Sequence, residues 1–403
     1  MTPDNRNVIL AVVLSMIVLF GWQFFIAGPQ LEQAQRQAEI AAAQQAEAEQ
    51  LAVPQTNADG SAAAPGTDAP QAFADRTTAL AATERVAIST DDLDGSINLT
   101  GARIDDLQLK QYRETTEPDS PIIALLKPAG LPDAYFVEQG WAAAAGSSVT
   151  LPDSQTVWSL EGENATLTPR TPVTLRYDNG QGLVFHRTFA VDEHYLFTVT
   201  QTVENTGSGD VALFPYSRVV RHGNPQVQNF FIQHEGPIGV LGSNNYVARK
   251  YGDLQNERQL DFASTTGWLG IADKYWATAV LPKAGTPINA RFAYTQPGGT
   301  NVFQTNYVET QPVMVPAGTT VSHEAYVFAG AKEDRVIAAY QEAYGFDRLE
   351  LLIDWGWFHF LTKPMHWLLV TLYGILGNFG LAILAVTVIV KAIFFPLANR
   401  SYA

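Results

Sequence analysis

The most informative absence in this sequence is cysteine, which does not occur once among 403 residues. Disulfides, thiolate metal sites and cysteine nucleophiles are therefore excluded together. Positive charge is also scarce, because 25 Lys and Arg oppose 40 Asp and Glu, giving a formal net charge of −15. Since nonspecific nucleic-acid binding relies on clustered basic residues that neutralise phosphates, nucleic acid is excluded as the main partner.

Charged residues make up only 16% of the chain and hydrophobic residues 46%, as in a globular body joined to membrane segments. Residues 8–27 are apolar except for Ser15, Gly21 and Gln23. This length matches the roughly 20 residues that cross a bilayer core of about 30 Å. The bulky end at residues 24–26 lacks a small-x-small cleavage pattern, which favours an uncleaved signal anchor over a cleaved signal peptide.

The orientation of the chain in the membrane follows from the basic residues that flank the apolar segments. Arg6 precedes the first segment, whereas Lys391 and Arg400 lie at the far end of the last one. Both ends are therefore predicted to face the cytoplasm, with the acidic middle of the chain outside. Residues 1–7 form the cytoplasmic N-terminus in this interpretation, and residues 398–403 begin a second cytoplasmic region.

Residues 28–84 are predicted to form a flexible tether. Residues 30–52 consist mainly of Ala, Gln and Glu and have no apolar stripe, and residues 53–71 change to Pro, Gly, Ala, Ser, Thr and Asp. Such a composition buries too little apolar surface to offset the entropy lost on ordering. The domain that follows is therefore expected to be loosely connected to the first membrane segment.

Residues 85–345 are predicted to form a mainly β domain with a closing helix. Short β-favouring runs are separated by turn sequences that contain Asn and Gly. Many strands over such a length predict a large antiparallel sandwich. The clearest runs are residues 173–177, 183–189 and 195–203, and the clearest turns are residues 178–180 and 205–207.

Helical spacing appears at the end of this region. Val336, Ile337 and Tyr340 lie on one side of a helix over residues 332–344, and Gly345 provides a typical end. This segment is predicted to close the β domain.

Residues 355–397 are mostly apolar, and as one straight helix they would measure roughly 65 Å against a bilayer core of about 30 Å. A hairpin of two spans would place Lys363 near the bilayer centre, at a cost of about 2.5–3.5 kcal/mol. An amphipathic helix at the outer interface over residues 346–377, followed by one transmembrane helix over residues 378–397, is favoured. The aromatic anchors of the interfacial helix are predicted to be Trp355, Trp357, Phe358 and Trp367.

Lys391 lies within an apolar run from Gly380 to Pro396. A charge in such a run is costly enough to be a functional-site hypothesis. The alternative is snorkelling, in which the four-carbon stem of the side chain carries the ammonium to the inner interface. The residues alone leave both interpretations open.

Several motifs resemble the bacterial YidC, Oxa and Alb family of membrane protein insertases. These motifs are Asp354-Trp-Gly-Trp-Phe358, Leu361-Thr-Lys-Pro364, residues 373–380 and residues 388–397. The resemblance implies a multi-pass protein of the bacterial inner membrane with a periplasmic β-supersandwich of the galactose mutarotase type. It implies an insertase and chaperone that works alone or with the Sec translocon on nascent inner-membrane proteins in the lipid bilayer. It implies no bond chemistry, so the protein is not expected to be an enzyme.

The resemblance also implies a hydrophilic groove between transmembrane helices. Lys391 matches the positive residue of this groove, and Thr387 on the preceding turn would add a polar wall. Most family members are expected to have Arg there, and Lys differs because it is a point charge without a planar fork. The family continues beyond the position of Ser401-Tyr-Ala403, so the chain is expected to be a fragment that contains one of the core spans.

Two other functions stay open. One is a membrane-anchored periplasmic domain that binds or epimerises sugars, with His186, His194, Asp192 and Glu193 as candidates, although fold analogy alone does not establish function. The other is a module that docks the secretion machinery through an edge strand.

Neither a metal site nor a cofactor is predicted. Of the seven histidines, only His359 and His366 share a helical face at a spacing that approaches that of metal ligands, and interfacial snorkelling explains both more simply.

Overall fold

A computed structural model describes residues 72–144, 147–223, 225, 234–242, 245–356 and 359–401. The predicted N-terminal segments 1–7 and 8–27, and most of the predicted tether, lie outside these residues. Apart from residues 144 and 147, the described residues belong to one compact unit.

The described residues contain twenty strands. They are β1 (Arg85–Ser89), β2 (Leu93–Asn98), β3 (Arg103–Arg113), β4 (Ile122–Leu126), β5 (Tyr135–Ala143), β6 (Ser159–Glu161), β7 (Thr166–Leu167), β8 (Val173–Asp178), β9 (Leu183–Val191), β10 (Leu196–Asn205), β11 (Val211–His222), β12 (Gly236–Leu241), β13 (Asn245–Ala248), β14 (Gln259–Ser264), β15 (Trp268–Ala272), β16 (Trp276–Pro282), β17 (Ile288–Thr295), β18 (Val302–Glu309), β19 (Val313–Val315) and β20 (Thr320–Ala331).

The same residues contain five α-helices and two short 3-10 helices. The α-helices are α1 (Arg76–Ala81), α2 (Tyr251–Glu257), α3 (Asp334–Tyr344), α4 (His359–Leu376) and α5 (Phe379–Ser401). The 3-10 helices are Pro297–Gly299 and Leu349–Leu352.

The strands form two sheets, here called the large and the small sheet. The large sheet has eleven strands in the order β14-β17-β18-β11-β5-β3-β2-β1-β7, with β19 also paired to β11 and β4 to β3. The small sheet has nine strands in the order β13-β12-β15-β16-β20-β10-β9-β8-β6. All pairs are antiparallel except β1 with β7. The prediction of a large antiparallel β domain is confirmed.

The predicted strand alternation is clearest in β10. Phe197, Val199 and Val203 are fully buried, whereas Thr198 and Thr200 on the opposite face are half-buried. This period of two is the one expected for a strand with one face in a core. The turn predicted at residues 178–180 joins β8 to β9, as the sequence indicates.

The hydrophobic core lies between the two sheets. Trp141 of the large sheet and Trp268 of the small sheet are among its largest fully buried side chains. The Tyr135 hydroxyl donates to the Ile271 carbonyl at 3.1 Å and so connects the sheets directly. Burial of each large apolar side chain stabilises the fold by about 1.5–3 kcal/mol.

Helix α3 follows the last strand of the β domain. It buries Val336, Ile337 and Tyr340 and ends at Gly345, whose φ of 67° is the left-handed conformation that favours glycine. The Tyr340 hydroxyl donates to Asp192 Oδ2 at 2.6 Å and so attaches the helix to the turn between β9 and β10.

The end of the predicted tether is folded, which corrects the boundary at residue 84. Helix α1 begins after Asp75, whose Oδ1 accepts the Thr78 amide at 2.9 Å. Phe73 and Ala79 pack in a small hydrophobic cluster with Phe136 of the large sheet. A short apolar segment becomes ordered when it finds such a surface, and the local composition did not indicate one.

The start of the predicted interfacial segment 346–377 also requires correction. Phe346, Leu349 and Leu352 are buried in the core of the β domain. The indole nitrogen of Trp268 donates to the Asp347 carbonyl at 2.9 Å. The amphipathic spacing of these residues therefore serves the β domain, and the helix of this region covers only His359–Leu376.

One feature of the large sheet was not predicted. Eight polar residues, here called the polar row, lie side by side across eight neighbouring strands. The flanking Val137 and Val219 point into the core, so the row lies on the face turned away from the small sheet. The residues of the row are Arg85, Asn98, Arg103, Glu138, Arg218, Asn306, Arg291 and Asp261.

Candidate functional site

The predicted groove residues lie on a hairpin of helices α4 and α5. Helix α4 ends at Gly377, whose φ is 64° and whose amide donates to the Tyr373 carbonyl at 2.8 Å. Asn378 then caps α5, because its Oδ1 accepts the Leu381 amide at 3.1 Å. The rings of Tyr373 and Phe379 lie 5.3 Å apart across the turn. Gly377 and Asn378 thus separate the two helices.

Lys391 lies on the exposed side of α5. Ala382 and Val386 are buried, whereas Leu384 and Val388 are 63% and 67% exposed on the side that also carries Lys391. Within the part of the chain that the structure describes, Lys391 has no hydrogen bond or ion pair. The side chain is therefore a lone cation on an apolar helical surface.

Thr387 lies one turn before Lys391 and is also exposed. Its hydroxyl donates to the Ile383 carbonyl at 2.8 Å, four residues earlier on the same helix. This is the back-bonding that competes with a ligand contact. The hydroxyl oxygen can still accept hydrogen bonds through its lone pairs.

The predicted aromatic anchors differ in their surroundings. Trp367 on α4 is 68% exposed, as an anchor that enters a lipid boundary requires. Trp355 is half-buried and packs against side chains of α4. Trp357 and Phe358 lie outside the described residues.

Among the described residues, no helix combines the length and the apolar character needed to cross a membrane. No three His, Asp or Glu side chains among them are grouped to hold a metal ion.

The structure does not bring the candidate sugar-site residues together. His186 lies on β9 and pairs with Glu161 of β6, Nδ1 to Oε2, at 2.8 Å. His194 lies in the turn after β9 and pairs with Asp92 Oδ2 at 2.8 Å. Asp192 in the same turn accepts the amide of His194 and the hydroxyl of Tyr340, while Glu193 is exposed. These contacts connect structural elements of the β domain.

The pair of His194 and Asp92 predicts that the stability of this turn depends on pH. Its hydrogen bond to Asp92 raises the pKa of His194 above the usual value, and the charges of Asp92, Asp192 and Glu333 add to the effect. Because the folded pKa is raised, the stabilisation is fully present below the unfolded pKa of about 6.5 and is lost as pH rises through the folded pKa.

Replacing His194 by Gln is therefore expected to destabilise the domain by about 0.2–1 kcal/mol near pH 5.5 and by almost nothing near pH 9, since the side chain is half-exposed. Thermal unfolding at both pH values measures the difference. An Asp92→Asn variant should show the same pH dependence, and an equal loss at both pH values would contradict the assignment.

Comparisons with known proteins support the resemblance found in the sequence. The family model described as the YidC periplasmic domain matches residues 85–368. The membrane protein insertase YidC of Beijerinckia indica is 47% identical over 100% of this chain and 67% of the relative. That of Mesorhizobium japonicum is 48% identical over 99% of this chain and 67% of the relative. The chain thus spans about two thirds of the length of these relatives.

Solved structures with a similar β domain include a galactose mutarotase related enzyme from Lactobacillus acidophilus. It is 9% identical, has a TM-score of 0.42 and aligns with 61% of this chain and 97% of its own. A galactose mutarotase-like protein from Lactobacillus casei is 8% identical, with a TM-score of 0.43 and coverage of 61% and 100%. These likenesses concern the fold alone.

The sequence and the comparisons therefore agree. A family model covers most of the chain, and relatives of nearly half identity match along its whole length. The chain belongs to the YidC family of membrane protein insertases.

Proposed function

We propose that this protein inserts nascent proteins into the bacterial inner membrane and assists their folding, alone or together with the Sec translocon. The observation that carries the proposal is Lys391, a lone exposed cation on the apolar surface of α5. Such a residue is costly in lipid unless a partner or a water-filled cavity compensates for its burial. The relatives with the matching sequence are named membrane protein insertases.

The mechanism needs no covalent chemistry. The polar outer segment of an incoming protein loses hydration when it crosses the bilayer, and this loss opposes insertion. Lys391 would attract acidic or carbonyl groups of that segment in a hydrophilic groove and lower the cost. Thr387 would supply a second polar contact on the same side of α5. Apolar parts of the substrate then leave sideways into the lipid.

The proposed arrangement in the membrane has two spans in this chain. Residues 8–27 form the signal anchor and residues 378–397 the second span, with the β domain in the periplasm. The positive flanks of both segments support this orientation. Helix α4 lies in the outer interface, with Trp367 on the helix and Trp355, Trp357 and Phe358 in the preceding sequence as aromatic anchors.

The function is tested in cells whose own insertase can be depleted. Expression of the complete protein is expected to restore the insertion of a small inner-membrane protein that depends on the insertase. Accessibility of the substrate to protease from the periplasmic side measures insertion. Normal amounts of the protein without any recovery of insertion would contradict the proposal.

The interfacial position of α4 gives a separate prediction. In nanodiscs that contain lipids brominated along the acyl chains, the exposed indole of Trp367 should be quenched. Replacing Trp367 by Phe is expected to reduce the quenched tryptophan fluorescence but not to abolish it, because Trp22, Trp355 and Trp357 also belong to the proposed membrane segments. Trp158, which is 3% exposed in the β domain, provides the matched control, and its replacement by Phe should leave the quenched fraction unchanged. Equal effects of both substitutions would contradict the interfacial position.

A further inference from the structure

The base of helix α4 is organised around one tryptophan. Lys363 Nζ lies 5.6 Å from the centroid of the Trp355 ring, within the range of a cation–π contact. The His366 ring lies 5.3 Å from the same ring at an interplanar angle of 66°. Lys363 and His366 are three residues apart and therefore share one face of α4. Lys363 and His366 therefore both contact the Trp355 ring.

The same two side chains reach the β domain. Lys363 Nζ lies 3.9 Å from Glu350 Oε1, and His366 Nε2 lies 3.9 Å from Asp334 Oδ2. Asp334 is the first residue of α3, and the Glu350 amide donates to Gln341 on that helix at 3.1 Å. The two carboxylates thus belong to the closing part of the β domain. At these distances and with half-exposed side chains, each pair alone contributes little.

The segment before Trp355 is held independently. Asp354 Oδ2 accepts the amide of His234 at 2.8 Å, and its Oδ1 accepts the amide of Gly356 at 2.9 Å. On the other side, the Thr362 hydroxyl donates to the Trp355 carbonyl at 2.9 Å. The backbone on both sides of Trp355 is therefore fixed to the β domain and to α4.

We propose that Trp355, Lys363 and His366 form a joint that sets the orientation of α4 relative to the β domain. Through the capped turn at Gly377 and Asn378, the joint also sets the position of α5 and Lys391. These are positioning residues that act through α4, and the inference rests on the proposed function. Each contact alone is weak, so the joint holds one orientation because several contacts act together.

The absence of cysteine makes the joint directly measurable. Cysteines placed at Glu342 on α3 and Ile375 on α4, both exposed, can carry a pair of spin labels in the complete protein in nanodiscs. Pulsed electron resonance then gives the distribution of distances between the two elements. One narrow distribution is expected for the parent protein.

Two variants test the joint by different contacts. Trp355→Ala, and separately Lys363→Ala combined with His366→Ala, are expected to broaden the distribution, whereas Trp355→Phe should keep it narrow because an aromatic ring remains. The double variant changes two half-exposed side chains and no core residue, so it tests the joint even if Trp355→Ala does not fold. A narrow, unshifted distribution in the double variant would overturn the proposal.

A charge reversal gives the sharper control. Glu350→Lys should broaden the distribution. Its combination with Lys363→Glu should narrow it again in part, because the ion pair is restored whereas the cation–π contact to Trp355 is not. The exposed pair of Arg176 and Asp178, at 3.1 Å on β8, lies toward the opposite end of the small sheet from β12, and Arg176→Ala should change nothing. A combined variant with a distribution as broad as that of Glu350→Lys would contradict the pairing.

An insertion assay on the same variants separates this inference from the proposed function. If the joint positions Lys391, variants with a broad distribution should insert substrate more slowly at normal protein levels. A parent protein that inserts nothing would overturn the proposed function while leaving the distance result intact. Broad distributions together with normal insertion would overturn the positioning role.

Discussion

Replacing Lys391 by alanine is expected to slow the insertion of a dependent substrate roughly ten- to hundred-fold. The reason is the loss of a charged contact to the polar segment of the substrate, a contribution of about 1.5–3 kcal/mol for a hydrogen bond to a charged group. A factor of ten corresponds to about 1.4 kcal/mol. Lys391→Glu should be slower still, because it repels acidic substrate segments.

Lys391→Arg should insert at nearly the parent rate. The guanidinium keeps the positive charge and adds a planar set of donors that suits carboxylate and carbonyl groups. The measurement is the rate at which a pulse-labelled substrate becomes accessible to periplasmic protease, at matched levels of each variant. This comparison separates the need for charge from the need for a lysine.

Neighbouring positions on α5 supply the controls. Val388 is 67% exposed and carries no charge, so Val388→Ala should have little effect. Thr387→Val should also change the rate by no more than about twofold, because the hydroxyl donates within its own helix. Normal insertion by both the Ala and the Glu variants of Lys391 would contradict the groove role and favour snorkelling.

Local patterns predicted the elements that depend on local chemistry. The strands around residues 173–203, the closing helix and the break at Gly377 each follow from alternation, helical spacing or a glycine with positive φ. The fold class followed as well, because many short strands with turn sequences favour an antiparallel sandwich. In each case the deciding residues lie within a few positions of one another.

Features that depend on distant partners were not predicted. Phe346, Leu349 and Leu352 have an apolar spacing that suits a lipid surface and a protein core equally well. Partners elsewhere in the chain, such as Trp268 about 80 residues earlier, place these residues in the core. Phe73 was likewise assigned to the tether because its partners near Phe136 are distant in sequence.

The polar row is the largest feature of this kind. Glu138 and Arg218 are 80 residues apart, and each strand alone shows only an ordinary polar residue within a buried run. The register of eight strands is needed to align them, and register is a property of the assembled sheet. The row could therefore not be predicted from spacing along the chain.

The centre of this row is a buried ion pair. Arg218 Nη2 donates to Glu138 Oε1 at 3.0 Å, and the Tyr216 hydroxyl donates to the same oxygen at 3.1 Å. Glu138 is 3% exposed and Arg218 is 6% exposed. Burial opposes ionisation of Glu138, but the charges of Arg218 and Arg103 and the hydrogen bonds from Arg218 and Tyr216 together lower its pKa. The carboxylate is therefore ionised in the folded protein.

Replacing Glu138 by alanine is expected to destabilise the β domain by about 3–5 kcal/mol, because the buried charge of Arg218 then loses the carboxylate that balances it. At about 2–4 °C for each kcal/mol, the melting temperature should fall by roughly 6–20 °C. Because the pKa of Glu138 is lowered, the parent protein should lose this contribution only as pH falls below about 4.5 and through the folded pKa. Thermal unfolding followed by circular dichroism measures both effects.

The exposed pair of Arg249 and Glu257 is the matched control for this prediction. Its side chains are 36% and 39% exposed at a distance of 3.2 Å, so Glu257→Ala should cost no more than about 1 kcal/mol. Glu138→Leu combined with Arg218→Met should cost less than Glu138→Ala alone, because no unpaired charge is left in the sheet. If Glu138→Ala and Glu257→Ala lowered the melting temperature equally, the ion pair at the centre of the polar row would contribute no more than a surface pair.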